Sequence, residues 1–320
     1  MHISLDKLKS VKEKYKMTEN MKKMKGIFAL IQVPFKNSGF DVDYDGFEKL
    51  AEYMTTKTGI HGIGLYGMVS EFHKLTDYEK TELTKIFLSA AKRNKVPSYL
   101  SITDYSTEVC VNKAREYEKM GVDAIMLLPP SMFNPHIDEI RNHMVSVLEA
   151  VEIPVLLQYA PQATGQNIPK EELLAMKDKY ENACFKLEFK PAAANLKPYL
   201  DEKPDMIILT GYAGLEMIDL YDIGVKGIIP GGSFTELYVA IYDAYFSGDK
   251  KKATKLYNKL EPYLKFWMMT PESLLAIEKE VLVRRGKMKE SICRRPCYHL
   301  TEKDSQDIDK FLVEFNEYLK

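Results

Sequence analysis

Short runs of Ile, Val, Leu and Phe recur along the chain, separated by longer segments in which apolar residues return every three or four positions. The first pattern is that of strands buried on both faces, the second that of amphipathic helices laid over them. Eight apolar runs predict strands at 26–33, 62–66, 96–102, 124–128, 154–159, 183–189, 206–209 and 225–229. Helical periods fill the intervals at 44–56, 78–93, 108–120, 137–151, 171–180, 193–200 and 215–221, with an eighth near 237–246. Boundary residues agree with this division. Thr76 and Asp77 stand where the second helix needs a cap and Pro169 where the fifth needs its first turn, while Gly121 and Gly224 close helices before the next strand.

Eight βα units predict an α/β fold, a closed (β/α)8 TIM barrel spanning 26–248. An open doubly wound sheet would want a GxGxxG loop after its first strand, and VPFKNSGF has none. Residues 1–25 read as an N-terminal extension and 249–320 as a C-terminal helical region, with helical periods at 251–267, 271–286 and 302–319.

Composition narrows the partners. Of 320 residues 45% are hydrophobic and 28% charged, and the net charge is -1, so neither a nucleic acid nor an anionic membrane surface is indicated. A small neutral or anionic ligand fits better. Cys110, Cys184, Cys293 and Cys297 are too few and too scattered for a disulfide framework. Pro296 argues against a helical Cys293/Cys297 metal pair, so these read as inert thiols in a reducing cytoplasm. His61, His73, His136 and His143 show no HxH or HExxH spacing; they read as surface or rim residues, and no metal is expected. The opening MHISLDKLKSVKEKYK lacks the continuous apolar core of a signal peptide, and no run approaches the roughly 20 residues needed to span a bilayer. Trp267, Met268 and Met269 read as adaptable packing in the helical region.

In a parallel barrel, chemistry gathers at the carboxyl ends of the strands. There, ACFKLEF carries a lysine in an apolar run. Alternation puts Lys186, Glu188 and Lys190 on one face and Phe185, Leu187 and Phe189 on the other. Facing inward, Lys186 would lose hydration and become a nucleophile toward a carbonyl carbon; facing outward, it would snorkel between helices. Alternation alone leaves both open. Glu188 reads either as an acid or base above the lysine or as the ion-pair partner of Lys190. Tyr159, ending PVLLQYAP on the face of Val155 and Leu157, is by itself an amphipathic rim residue.

These segments together resemble the dihydrodipicolinate synthase and N-acetylneuraminate lyase family of class I, Schiff-base aldolases and lyases. The similarity runs through VPF, GMVSEFHKLTDYEK (the family's GxxGE loop), GVDAIMLLPPSMFNP, LLQYAPQATG (its YNxP segment), FKLEF, the Gly211 turn and GVKGIIPG, in that order. It implies that Lys186 is the Schiff-base lysine and Tyr159 a proton relay. It implies further that Gly67, Met68, Val69 and Ser70 hold a substrate carboxylate, and that Gly211 and Ile229 line the pocket beside Glu188. The implied substrate is a small-molecule 2-oxo acid, pyruvate-type or sugar-derived, bound covalently through Lys186 without any cofactor. A homo-oligomer, tetramer or dimer, is implied as well.

Departures from the family pattern reshape the expected activity. Met68 and Val69 replace two hydroxyl residues, one of which belongs to the relay, so Ser70 substitutes or the relay is rebuilt. Ser131 and Met132 stand where the synthase branch carries a tyrosine, and Gln162 and Ala163 where an arginine grips a second carboxylate. These changes argue against dihydrodipicolinate synthase activity itself. The reading is therefore a lyase or aldolase with a repurposed pocket; the alternative is a catalytically impaired 2-oxo-acid binding or regulatory protein.

Overall fold

The computed structural model describes residues 19–319; most of the expected 1–25 extension, residues 1–18, lies outside the described residues. Eight parallel strands close into a barrel: β1 (Gly26–Leu30), β2 (Gly62–Leu65), β3 (Ser98–Ser101), β4 (Ala124–Leu127), β5 (Val155–Tyr159), β6 (Ala183–Leu187), β7 (Ile208–Thr210) and β8 (Gly227–Ile228). Each strand neighbours the next in sequence, and β1 pairs with β8, as a (β/α)8 barrel requires. The crossover helices are α1 (Tyr44–Lys57), α2 (Asp77–Asn94), α3 (Thr107–Met120), α4 (Ile137–Leu148), α5 (Lys170–Lys179), α6 (Ala192–Glu202), α7 (Met217–Asp222) and α8 (Thr235–Phe246). Beyond them follow α9 (Lys250–Trp267), α10 (Pro271–Arg284) and α11 (Glu302–Glu314). The strands are mostly shorter than the apolar runs. Burial continues past the last paired residue, as at Ile31 and Val33 after β1 and Phe189 after β6, so hydrophobicity overestimates ladder length.

Internal contacts group the chain into two compact units. One is built on Tyr99–Leu209 with Ile223–Lys226, the other on Gly26–Ser98, Thr210–Asp222 and Gly227–Lys320. In the first, register runs straight across the strands: Ile125 lies opposite Val155, Val155 opposite Ala183, and Phe185 opposite Ile208. Its helices are capped by their own sequence. Ser106 accepts a hydrogen bond from the Val109 amide ahead of α3, and Gly121 closes that helix in the left-handed conformation at φ 85°. His143, expected at the surface, is instead buried on α4, where its Nδ1 lies 2.9 Å from the Thr107 hydroxyl; the helical period places it on the inward stripe with Ile140 and Met144.

In the second unit Thr76 caps α2 through a capping box with Glu79, and Thr270 and Ser273 do the same for α10. Phe28 lies opposite Gly62, and a Cβ at Gly62 would fall 2.3 Å from the Phe28 ring, so glycine there makes room for the aromatic. An aromatic cluster joins the C-terminal helices: Phe311 sits 4.9 Å from Trp267 and 5.0 Å from Phe234, centroid to centroid. Trp267 is fully buried, but Met269 is 69% exposed because α9 has already ended, which corrects its expected packing role. Cys293 and Cys297 lie in irregular chain around Pro296, and burial pushes the Cys293 thiol up to about 12. Among the described residues no helix is long and apolar enough to cross a membrane, and no group of three or more His, Cys, Asp or Glu is placed to hold a metal ion.

The second unit also buries a carboxyl group that sequence reading overlooked. Glu278 on α10 is fully buried; the Gln32 amide just beyond β1 donates to it, and a Cβ at Gly231 would lie 1.8 Å from its Oε2. Burial raises its pKa to about 8, the Gln32 hydrogen bond pulling the other way. The folded chain thus keeps a proton that the unfolded chain releases near pH 4.5. The stability this contributes is complete below about pH 4.5 and is lost as pH rises through about 8, at up to roughly 1.4 kcal/mol per pH unit. Glu278→Gln should therefore flatten the fall of Tm between about pH 5 and about pH 8. An unchanged slope in thermal unfolding would show that Glu278 is ionised in the fold.

Candidate active site

In the first unit the candidate chemistry sits at the carboxyl end of β6. Register pairs Lys186 with Gln158 on β5 and with Leu209 on β7, so these three side chains share one face of the sheet, with Leu156 and Cys184 behind them. Lys186 is 6% exposed and Glu188 7%. The Glu188 amide donates to the Tyr159 carbonyl at 2.9 Å, which extends the β5–β6 ladder one step and holds Glu188 on the Lys186 face. Its Oε1 lies 3.6 Å from Lys186 Nζ, while Gln158 Nε2 donates to Oε2. Tyr99 on β3 is fully buried, and its phenol is pushed well above the ordinary tyrosine value, first by burial and then by the negative charge of Glu188.

Register puts Lys186 on one face of the sheet with Gln158 and Leu209. The opposite face carries Val155, Leu157, Phe185 and Leu187. Tyr159 belongs to that opposite face, paired in register with Leu187. Its hydroxyl accepts a hydrogen bond from the Ile168 amide at 3.1 Å, and its ring meets Phe189 edge-on at 5.6 Å; Phe189 in turn lies 6.0 Å from Tyr199 of α6. The expected place of Tyr159 beside Lys186 is taken by Gln158 in this register. A one-residue difference in position along a strand turns a side chain to the other face, and the residue beside Lys186 is Gln158. Ser131 and Ala163 follow β4 and β5 in irregular chain and a short helical turn, and Met132 is 49% exposed.

In the second unit the loop after β2 forms two successive 3-10 turns, Met68–Ser70, led by Gly67, and Phe72–Lys74 beyond Glu71. The Ser70 and Glu71 amides close the first turn onto the Gly67 and Met68 carbonyls. Val69 is buried and Met68 is 48% exposed. Ser70 donates its hydroxyl proton to the Ile31 carbonyl at 2.6 Å, so that proton is committed to the backbone. Gly211 and Ile229 follow β7 and β8, both buried, and the Ile229 amide donates to the Thr210 carbonyl at 2.7 Å. His73 is exposed, 4.0 Å from Glu272.

The first turn ends at Glu71, whose backbone is left-handed at φ 52° and whose carboxylate is fully buried. Lys279 of α10, also fully buried, donates to it at 2.5 Å, the Arg294 amide donates at 2.9 Å, and Lys74 at 3.3 Å. Lys279 also donates to the Ile292 carbonyl at 2.8 Å and lies 4.3 Å above the Phe35 ring. Burial lowers the Lys279 pKa, with Glu71 opposing that shift. Sequence reading missed this network. The available signal was the charged run Glu278, Lys279 and Glu280 between the apolar stretches LLAI and VLV of that helix.

With this geometry described, likeness to known proteins becomes informative. Residues 23–314 match the dihydrodipicolinate synthetase family, and the chain belongs to it. An uncharacterized DapA-like lyase of Thermofilum pendens is 28% identical over 240 residues, covering 73% of this chain and 79% of the relative. A 4-hydroxy-tetrahydrodipicolinate synthase of Methanococcus aeolicus is 25% identical over 239 residues, covering 74% of this chain and 81% of the relative. The N-acetylneuraminate lyase of Mycoplasma synoviae superposes with a TM-score of 0.78 at 21% identity, covering 93% of this chain and 99% of the lyase, and so shares the fold.

The Glu71–Lys279 pair generates a direct test. Removing one partner leaves a buried charge uncompensated, so Lys279→Met should cost about 3–5 kcal/mol. The double variant Glu71→Gln/Lys279→Met should recover much of that loss. Chemical denaturation of Lys279→Met, Glu71→Gln and the double variant measures it, and a double-variant loss equal to the sum of the two single losses would show that the pair is not coupled.

Proposed function

We propose that this chain is a class I lyase or aldolase that condenses Lys186 with the ketone of a 2-oxo acid, pyruvate-type or sugar-derived. The observation that carries this reading is Lys186 itself: a lysine held almost out of water at the carboxyl end of a barrel strand, with a carboxylate 3.6 Å from its amine. Membership of the family supports the reaction class. The iminium formed at Lys186 is the electron sink for breaking or making a carbon–carbon bond or for losing water, and the chemistry needs neither a metal nor a cofactor.

By the family resemblance, the loop of Gly67, Met68, Val69 and Ser70 takes the substrate carboxylate. Because the Ser70 and Glu71 amides are already used within the turn, the Met68 and Val69 amides are the donors assigned here. Gly211 and Ile229 are assigned to the pocket wall on the same ground. Ser131, Met132, Gln162 and Ala163 occupy the places where the synthase reaction would need a tyrosine and an arginine, so that reaction is not assigned. The position of Tyr159 favours a second reading, a protein that forms the imine and turns over slowly. We also propose a homo-oligomer acting in the cytoplasm.

Borohydride reduction in the presence of pyruvate, and separately of sugar-derived 2-oxo acids, should trap an adduct on Lys186, located by peptide mass spectrometry and absent in Lys186→Ala. A folded wild-type protein that traps none of these acids would overturn the Schiff-base reading. Trapping without turnover would select the binding-protein alternative.

A further inference from the structure

On the Schiff-base reading, the next question is which group carries the protons, since imine formation at a buried lysine moves several of them away from bulk water. We propose that Glu188, oriented by Gln158, is the proton carrier of the Lys186 cycle, and that no strand-end tyrosine takes part.

Geometry separates the two Glu188 oxygens. Oε2 accepts from Gln158, whereas Oε1 faces Lys186 Nζ at 3.6 Å. The backbone is fixed too, by the Glu188 amide on the Tyr159 carbonyl at 2.9 Å. Tyr159 sits on the other face of β5 with its hydroxyl bonded to the Ile168 amide. Glu188 is thus the titratable group that the structure records in ion-pair range of the reacting nitrogen, and Gln158, in register beside Lys186, is a positioning residue.

The proton balance favours this assignment. The resting site holds an ammonium and a carboxylate. One proton passes from Nζ to Oε1, leaving a neutral amine and a carboxylic acid. Nζ then attacks the ketone carbon; the C–N bond forms, the carbonyl π bond opens, and the oxygen takes the proton from Glu188. The nitrogen, now cationic, returns a proton to Glu188, giving a neutral carbinolamine. The C–O bond breaks as the hydroxyl leaves with that proton as water, and the nitrogen lone pair closes the C=N bond. Of the three ammonium protons, two leave in water and one remains on the iminium. The Glu188 carboxylate therefore faces a cation at the beginning and at the end, so neither member of the Lys186–Glu188 pair is ever charged alone. In the next step Glu188 accepts a proton from C3 of the iminium, and the ion pair becomes a neutral acid beside a neutral enamine.

Deuterium exchange at C3 of pyruvate, followed by NMR in heavy water, reads this step without the natural substrate. In Glu188→Gln, exchange and the rate of borohydride trapping should both fall about 10²- to 10⁴-fold, while the Lys186 adduct still accumulates on long incubation. Glu188→Asp should retain part of the rate and guards against a folding defect in the glutamine variant. Gln158→Leu should slow exchange at saturating pyruvate while leaving the half-saturating concentration unchanged, a split that loss of fold would not produce. Tyr159→Phe should exchange within about two-fold of wild type, on the scale of general acid–base effects. Exchange by Glu188→Gln at the wild-type rate, or its loss in Tyr159→Phe, would overturn the assignment to Glu188. Absence of any adduct in the wild-type protein would instead overturn the Schiff-base reading on which this assignment rests.

Discussion

A lysine taken out of water must keep a counter-charge within reach or give up its proton. Among the described residues, two buried lysines do the first. Lys186 lies 3.6 Å from Glu188, and Lys279 lies 2.5 Å from Glu71. The two pairs are built differently. Lys186 and Glu188 are two residues apart on one extended segment, so the pleat alone brings them to one face. Lys279 and Glu71 come from distant parts of the chain, the carboxylate held in a left-handed turn and the amine on α10. The first keeps a slight exposure, 6% at Lys186 and 7% at Glu188. The second is fully buried and tied to backbone groups at both ends, through the Arg294 amide and the Ile292 carbonyl.

Within the second unit this difference explains what the C-terminal helices contribute. Lys279 and the Arg294 amide grip Glu71, the residue that terminates the 3-10 turn Met68–Ser70, and the Arg294 guanidinium reaches on to Glu79 at the start of α2. Lys74 adds a second bridge to Glu272 at 3.1 Å. The loop after β2 is therefore held by the helical region as well as by the strand it leaves, and backbone strain at Glu71 persists because the surrounding contacts over-determine it. Glu278 is handled differently: it accepts a hydrogen bond from the Gln32 amide, and burial raises its carboxyl pKa to about 8. One helix, α10, thus carries both solutions to burying a titratable group, on adjacent residues.

In the first unit, the polar groups beside Lys186 depend on one another. A glutamine occupies the position in register with the lysine, and a glutamate stands two residues beyond it; amide and carboxylate bond to each other. Neither side chain is intelligible alone. A lone Glu188 would have one oxygen facing Lys186 and the other unsatisfied, and a lone Gln158 would be an amide on an otherwise apolar strand. Together they make a satisfied polar patch around the amine, beside the buried phenol of Tyr99.

The local pattern of residues was enough to determine the barrel, its eight strands and crossover helices, and the caps at Thr76 and Gly121, because buried parallel strands and amphipathic helices leave periods of different length in the chain. It could not determine which way each strand faced. Both faces of a barrel strand are buried, so VLLQY reads as apolar on either side, and the choice between Gln158 and Tyr159 as neighbour to Lys186 depends on register with β6. Nor could it pair Glu71 with Lys279, or set Glu278 against Gly231 and Gln32, since those contacts join residues that only the folded chain brings together. Period is a property of neighbours along the chain, whereas register and burial of charge are decided by the partners across the sheet and between helices.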